Sequence, residues 1–261
     1  FGTMLYSQLK RDLFFARARQ YDSCLAAALD SDKVPEAVYH TLVEATNDNL
    51  DTLHRYLNLK ARILGLEDMA YHDAYRSVVA GELEFPIGAA KEMTLESLAP
   101  LGPEYVEVVR RGFGERWMDV YPQPGKRSGA YSTGAVYDVH PYVLLNFNDD
   151  YESVSTLTHE WGHTMHSYLS NASQPYPMAD YSIFVAEVAS TFNEALLLDY
   201  VLENADDDEE RLFYLGSALE GLRLTFFRQA MFAEFELETH EAVERGEALS
   251  GRRFTEIYGD L

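Results

Sequence analysis

Three things are scarce in this chain, and each narrows its chemistry. It holds one cysteine in 261 residues, Cys24. An intramolecular disulfide is therefore impossible, and a cytoplasmic location is the simplest expectation, although a secreted protein without disulfides has the same composition. Cys24 sits in Tyr21-Asp22-Ser23-Cys24-Leu25-Ala26-Ala27, a setting for a small buried hydrophobe rather than a nucleophile. Basic residues are the second shortage. The 21 Lys and Arg face 43 Asp and Glu, a formal charge of -22. No basic patch is visible, so no nucleic-acid partner is expected. The acidic excess gives a solvated surface, and with Arg outnumbering Lys it also fits a high-salt source. Long apolar runs are the third. None approaches the ~20 residues that span a bilayer, so no membrane association is expected. The start, Phe1-Gly2-Thr3-Met4-Leu5-Tyr6, lacks the basic flank and apolar stretch of a signal peptide, and the missing first Met points to a clipped chain.

What is present is ordinary for a soluble globular protein: 47% hydrophobic and 25% charged residues, enough for one large domain or two small ones. No internal repeat or low-complexity tract occurs, and no pattern sets an oligomeric state. Leu5, Leu9, Leu13 and Ala16 predict a helix over 4–29. Pro35 suits the first turn of a second helix that runs to about Leu64, with Gly65 as its C-cap. Residues 66–88 are mixed, with Phe85-Pro86-Ile87-Gly88 as a loop. Thr94 to Gly112 reads as one or two short helices broken at Gly102-Pro103. Tyr121 to Gly129 is the strongest loop signal. Ala130 to Asn148, rich in Tyr and Val, predicts two short strands. Helices are then expected over Val154–Leu169, over Ser182–Asn204 with Ser182 as N-cap, and over Leu212 to about Glu247. The fold class is mainly α, with a small sheet beside the most informative helix.

That helix carries His159-Glu160-Trp161-Gly162-His163. A spacing of four puts both imidazoles on one helix face, one turn apart, where they can share a metal ion. Glu160 lies beside them and can take a proton from a metal-activated water as general base. Val154, Leu157, Trp161 and Met165 give the helix an apolar face for burial beneath a cleft. A catalytic zinc needs a third protein ligand and an open position. His166 is nearest in sequence, but it lies seven residues from His159, roughly 10.5 Å along a helix axis. Ligands strung over two turns do not converge on one ion, so His166 is either a hydrogen-bond donor to a metal-ligating group or a satisfied core histidine. Its position, and Leu169 three residues on, also exclude the longer His-Glu-x-x-His-x-x-Gly-x-x-His pattern.

Glu187, in Phe184-Val185-Ala186-Glu187-Val188-Ala189-Ser190-Thr191, is the favoured third ligand. Its apolar and small neighbours make an unpaired carboxylate costly; a structural salt bridge is the competing explanation. Asp180 at the helix start is better explained by the helix dipole. Glu194, seven residues after Glu187, either orients a ligand histidine or makes a surface or salt-bridge contact.

The run from His159 to Ser167 and the Phe184–Thr191 segment together resemble oligoendopeptidases of the F type, in the thimet oligopeptidase and neurolysin family of zinc peptidases. Gly125 to Ser132, the Pro141–Asn146 strand and Arg228 to Glu236 are also similar. The resemblance implies a zincin-like, neurolysin-like helical fold with one Zn2+ per chain held by His159, His163 and Glu187, and Glu160 as base. It implies short, unstructured peptides as substrates, admitted by a deep channel, with the strand near Tyr142 to Asn146 as an edge that pairs with the substrate backbone. Tyr131, Tyr137, His140 and Tyr142 lie near that strand, either lining the channel or packing the sheet. Residues 1–120 would form part of the channel wall and 121–261 the zinc-binding region of one continuous catalytic domain, truncated at both ends. The family's C-terminal His and Tyr residues, which hydrogen-bond the oxyanion, have no match in His240 or Tyr258. Two competing functions remain: a catalytically incomplete zinc-containing peptide-binding protein, and a zinc hydrolase for another substrate class.

Overall fold

The apolar spacing at the start of the chain makes a helix, α1 (Gly2–Ala18), that buries Leu9, Leu13 and Ala16. It is shorter than expected. Gln20 turns the chain at a left-handed φ of 64°, and Ser23 accepts the Ala26 amide to cap α2 (Cys24–Leu29). No Pro or Gly marks this break, so the single helix over 4–29 is replaced by two. The second predicted helix also divides, at Asn49, into α3 (Glu36–Asp48) and α4 (Leu50–Ile63). Gly65 follows it in the left-handed region at φ 67°, where a Cβ would be strained. The structure, a computed structural model, describes residues 1–79 and 83–261. The mixed stretch therefore lies outside the described residues at 80–82, and elsewhere holds a 3₁₀ turn at Tyr71–Tyr75. The expected loop at 85–88 ends early: Pro86 starts α5 (Ile87–Ser97), which takes in Gly88. The break at Gly102-Pro103 precedes α6 (Pro103–Gly114).

Three short strands follow: β1 (Met118–Asp119), β2 (Tyr131–Thr133) and β3 (Tyr142–Leu144). Their order is β1-β3-β2, with β3 parallel to β1 and antiparallel to β2. This corrects one expectation. β3 is the middle strand, not an edge: Val143 and Leu145 donate their amides to the Trp117 and Asp119 carbonyls, while β2 occupies the other side. Two residues are too few to give β1 a readable alternation, which hid it. The exposed edge next to the metal-motif helix is β2.

That helix is α7 (Tyr151–Ser173), capped by Asp150 accepting the Ser153 amide. α8 (Ile183–Asn204) is capped by Ser182, which accepts the Phe184 amide. α9 (Asp208–Leu222) continues through a π-helical stretch, Arg223–Phe227, into α10 (Arg228–Glu244). A last helix, α11 (Gly251–Asp260), was not expected.

The chain forms two compact units, Phe1–Arg76 with Leu219–Leu261, and Ser77–Ala218. α5 and α6 share one core with α7 and α8. In the first unit, Leu9, Leu13, Ala16 and Cys24 pack with Ala242, Val243, Leu249 and Phe254. Lys60, buried there, donates to the Ala74 carbonyl at 2.5 Å and to Glu220 at 3.2 Å, so its charge is paired. In the second unit, Val154, Leu157, Trp161 and Met165 of α7 enter a core with Leu98, Val109, Trp117 and Leu197. The Trp161 ring meets Phe113 edge-on at 4.8 Å. A Cβ on Gly112 would lie 2.1 Å from Trp161, so only glycine lets α6 seat this indole.

Candidate metal centre

α7 and α8 approach each other closely at Gly162. A Cβ there would lie 2.5 Å from the Ser190 Cα and 2.7 Å from the Ala189 carbonyl oxygen. Glycine thus lets the two backbones touch, between the two histidines on one side and three residues past Glu187 on the other. The buried Asn193 amide also donates to the Thr158 carbonyl at 3.2 Å, which ties the residue before His159 to the residue before Glu194.

This contact brings three donor atoms together. His159 Nε2 and His163 Nε2 are 3.1 Å apart, and each lies 3.3 Å from Glu187 Oε2. The other ring positions are taken. His159 Nδ1 is hydrogen-bonded to the Glu194 carboxylate, and the His163 ring is hydrogen-bonded to the Ala186 backbone. With those partners accepting, each neutral imidazole turns its bare Nε2 inward. In that tautomer two nitrogen lone pairs and a carboxylate oxygen converge; burial lowers the His159 pKa, but Glu194, Glu160 and Glu187 raise it on balance, so the cluster calls for positive charge. A cation supplies it. Tetrahedral zinc with bonds of ~2.1 Å holds its ligand atoms roughly 3.4 Å apart, close to the separations here. Among the described residues, His159, His163 and Glu187 form a group able to hold a metal ion.

Glu160 faces the same space but belongs to none of these pairs. It is only 6% exposed, and its Oε2 is buried without a hydrogen-bond partner. Burial pushes its carboxyl up to about 7; Glu187 and Glu194 push the same way, while His159 and the Ser132 amide oppose them. The Ser132 contact comes from the sheet. The Val143 amide faces β1, so antiparallel alternation turns the amide and carbonyl of its partner Ser132 to the outer edge of β2, beside Glu160. The Ser132 and Thr164 hydroxyls, 2.8 Å apart, fasten that edge to α7.

The remaining predicted residues are scattered. His166 is outside the metal group: its ring stacks on Tyr181 with centroids 3.7 Å apart. Tyr181 in turn meets the Ser167 hydroxyl at 2.8 Å. His140 stacks face to face on Trp117 at 4.6 Å and leans on Tyr142. Tyr137 donates to the Gln174 carbonyl at 2.5 Å. Tyr131 and Tyr142 are exposed. One premise fails. The apolar neighbours of Glu187 do not bury it: Phe184 and Val188 are exposed and the Glu187 side chain is 61% exposed. Unpredicted residues are the Ser132 amide and Ser190, whose hydroxyl donates to Glu187 Oε2 at 2.7 Å. The spacing of three from Glu187 to Ser190, one helix turn, was the available signal for the latter.

The sequence profile of Peptidase family M3 matches residues 3–261. The chain belongs to peptidase family M3. It is similar to the oligopeptidase PepF of Bacillus subtilis, 46% identical over 262 residues that cover all of this chain and 39% of that protein. It is similar to the group B oligopeptidase PepB of Streptococcus agalactiae, 40% identical over 261 residues, which are 43% of that protein. The crystal structure of oligoendopeptidase-F from Enterococcus faecium superposes with a TM-score of 0.68 at 33% identity, over the whole of this chain and 39% of that one. The M3 fold is thus the mostly helical one of the oligoendopeptidase F structures, and the chain spans about two-fifths of the length of these relatives. Among the described residues no helix is long and apolar enough to cross a membrane.

Proposed function

We propose that this chain carries the zinc site and general base of an endopeptidase that cleaves short peptides. The observation that carries the reading is the convergence of His159 Nε2, His163 Nε2 and Glu187 Oε2, each within 3.3 Å of the others, beside a buried carboxylate with an unpaired oxygen. Two imidazoles and a carboxylate are a donor set suited to zinc with a position left open. Zinc held there would polarise the scissile carbonyl and lower the pKa of water. Glu160 takes the proton of the attacking water and delivers it to the leaving amine, so no acyl-enzyme forms. Burial pushes its carboxyl up to about 7, and a dication held beside it would favour the carboxylate form needed for proton abstraction. Glu194 fixes the tautomer and plane of His159.

Peptide as substrate is supported by the open edge of β2. The outward carbonyl of Ser132 can accept from an extended backbone, an interaction that tolerates many sequences. Tyr131 and Tyr142, exposed on neighbouring strands, flank that path. His140 and Tyr137 are held by packing and fit a supporting role. Short peptides, rather than nucleic acid or lipid, are the partners consistent with the acidic charge. The single cysteine supports a cytoplasmic setting.

The test is digestion of a mixed peptide library by the full-length protein with and without a chelator. Cleavage of short peptides that stops on chelation and returns with zinc is expected. Peptide binding without cleavage would favour a non-catalytic metal site, and inert peptides beside another hydrolysed substrate would favour a different hydrolase.

A further inference from the structure

Glu187 poses a positioning problem. It is a long side chain with most of its surface in solvent, yet its Oε2 lies at equal distances from two fixed histidine nitrogens. A solvent-facing glutamate samples several rotamers, and few of them put an oxygen there. The structure shows what selects one. The Ser190 hydroxyl donates to Oε2 at 2.7 Å, while its alternative acceptor, the Glu187 carbonyl, is farther at 3.1 Å. A serine inside a helix ordinarily bonds back to a carbonyl of the preceding turn; here the charged oxygen offers the shorter and stronger bond. Ser190 itself is fully buried, at the point where α8 touches Gly162. The donor is thus anchored where the two helices meet, and the mobile acceptor is held by it.

We propose that Ser190 is a positioning residue that holds the Glu187 carboxylate in its metal-binding rotamer before the ion arrives. The proposal rests on the assignment of His159, His163 and Glu187 as the metal ligands. Ser190→Ala removes one oxygen and adds nothing to the crowded helix contact, so the backbone approach is kept. Zinc then binds a site whose third ligand must first be ordered, and affinity falls by about 10- to 100-fold, the range for residues that orient metal ligands.

The experiment is a double-mutant cycle on the full-length protein, with zinc affinity read by competition against a chromophoric chelator. Wild type, Ser190→Ala, Glu187→Ala and the double variant are compared. The expected result is a 10- to 100-fold loss in Ser190→Ala, a larger loss in Glu187→Ala, and no further loss in the double variant. An unchanged affinity in Ser190→Ala overturns the proposal. So does an equal loss from Ser190→Ala when Glu187 is already absent, since the hydroxyl would then act through packing alone. An unchanged affinity in Glu187→Ala instead overturns the ligand assignment on which the proposal stands.

Discussion

Glu160 owes its chemistry to its surroundings as much as to its type. An exposed glutamate titrates near 4.3 and is a weak base. Burial in α7, reinforced by Glu187 and Glu194, pushes this one up to about 7, where a carboxylate can both take and return a proton. Glu160→Gln keeps the shape and removes the proposed base. Peptide hydrolysis is expected to fall by about 10²–10⁴-fold in kcat, with bound zinc retained, because Glu160 is outside the converging donor group. Steady-state kinetics on a fluorogenic peptide checks this; a variant with wild-type kcat would remove Glu160 from the mechanism. His159, Glu160 and His163 were readable because their relation is fixed within one helix. Glu187 was named because α7 lacks a third donor and because the family resemblance implies it, with its apolar neighbours as a supporting point. Its apolar neighbours are exposed, and its place at the site comes from helix apposition.

The elements that make the site are two helices and one strand edge. Helical periodicity located α7 and α8, and serine capping located the start of α8 at Ser182. What periodicity could not show is how near they come. That depends on Gly162, an unremarkable residue in a one-dimensional reading. Gly162→Ala tests the contact. Alanine would gain about 1 kcal/mol in helix propensity, but its Cβ would lie 2.5 Å from backbone, where no side-chain rotation relieves the clash. Overpacking of this kind costs about 1–3 kcal/mol, so a net loss of stability is expected, together with weaker zinc binding as Glu187 withdraws from the histidines. Thermal unfolding with and without zinc measures both; an unchanged Tm would show that the close approach has slack. The strand order was equally hidden. β3 has the apolar character that marks a strand, but only pairing decides that it is central and that β2 carries the open edge. Gln20 shows the same limit, since a left-handed turn at glutamine leaves no compositional mark.

On the scale of the whole molecule, the fold class and the acidic surface were plain from composition and pattern, whereas the two compact units were not. They part at 76/77 and 218/219 because residues distant in sequence share a core, as Leu9 and Phe254 do. All the converging site residues fall in the unit Ser77–Ala218, so one folded unit sets the donor geometry. Two carboxylates there, Glu187 and Glu194, add a local negative field to a chain of formal charge -22, which favours capture of a dication. The most direct test of this account is the metal content of the full-length protein, measured by elemental analysis after dialysis. One zinc per chain is predicted for the wild type and for Glu160→Gln, and less than a tenth of that for His159→Ala and His163→Ala. A full zinc complement in either histidine variant would contradict it.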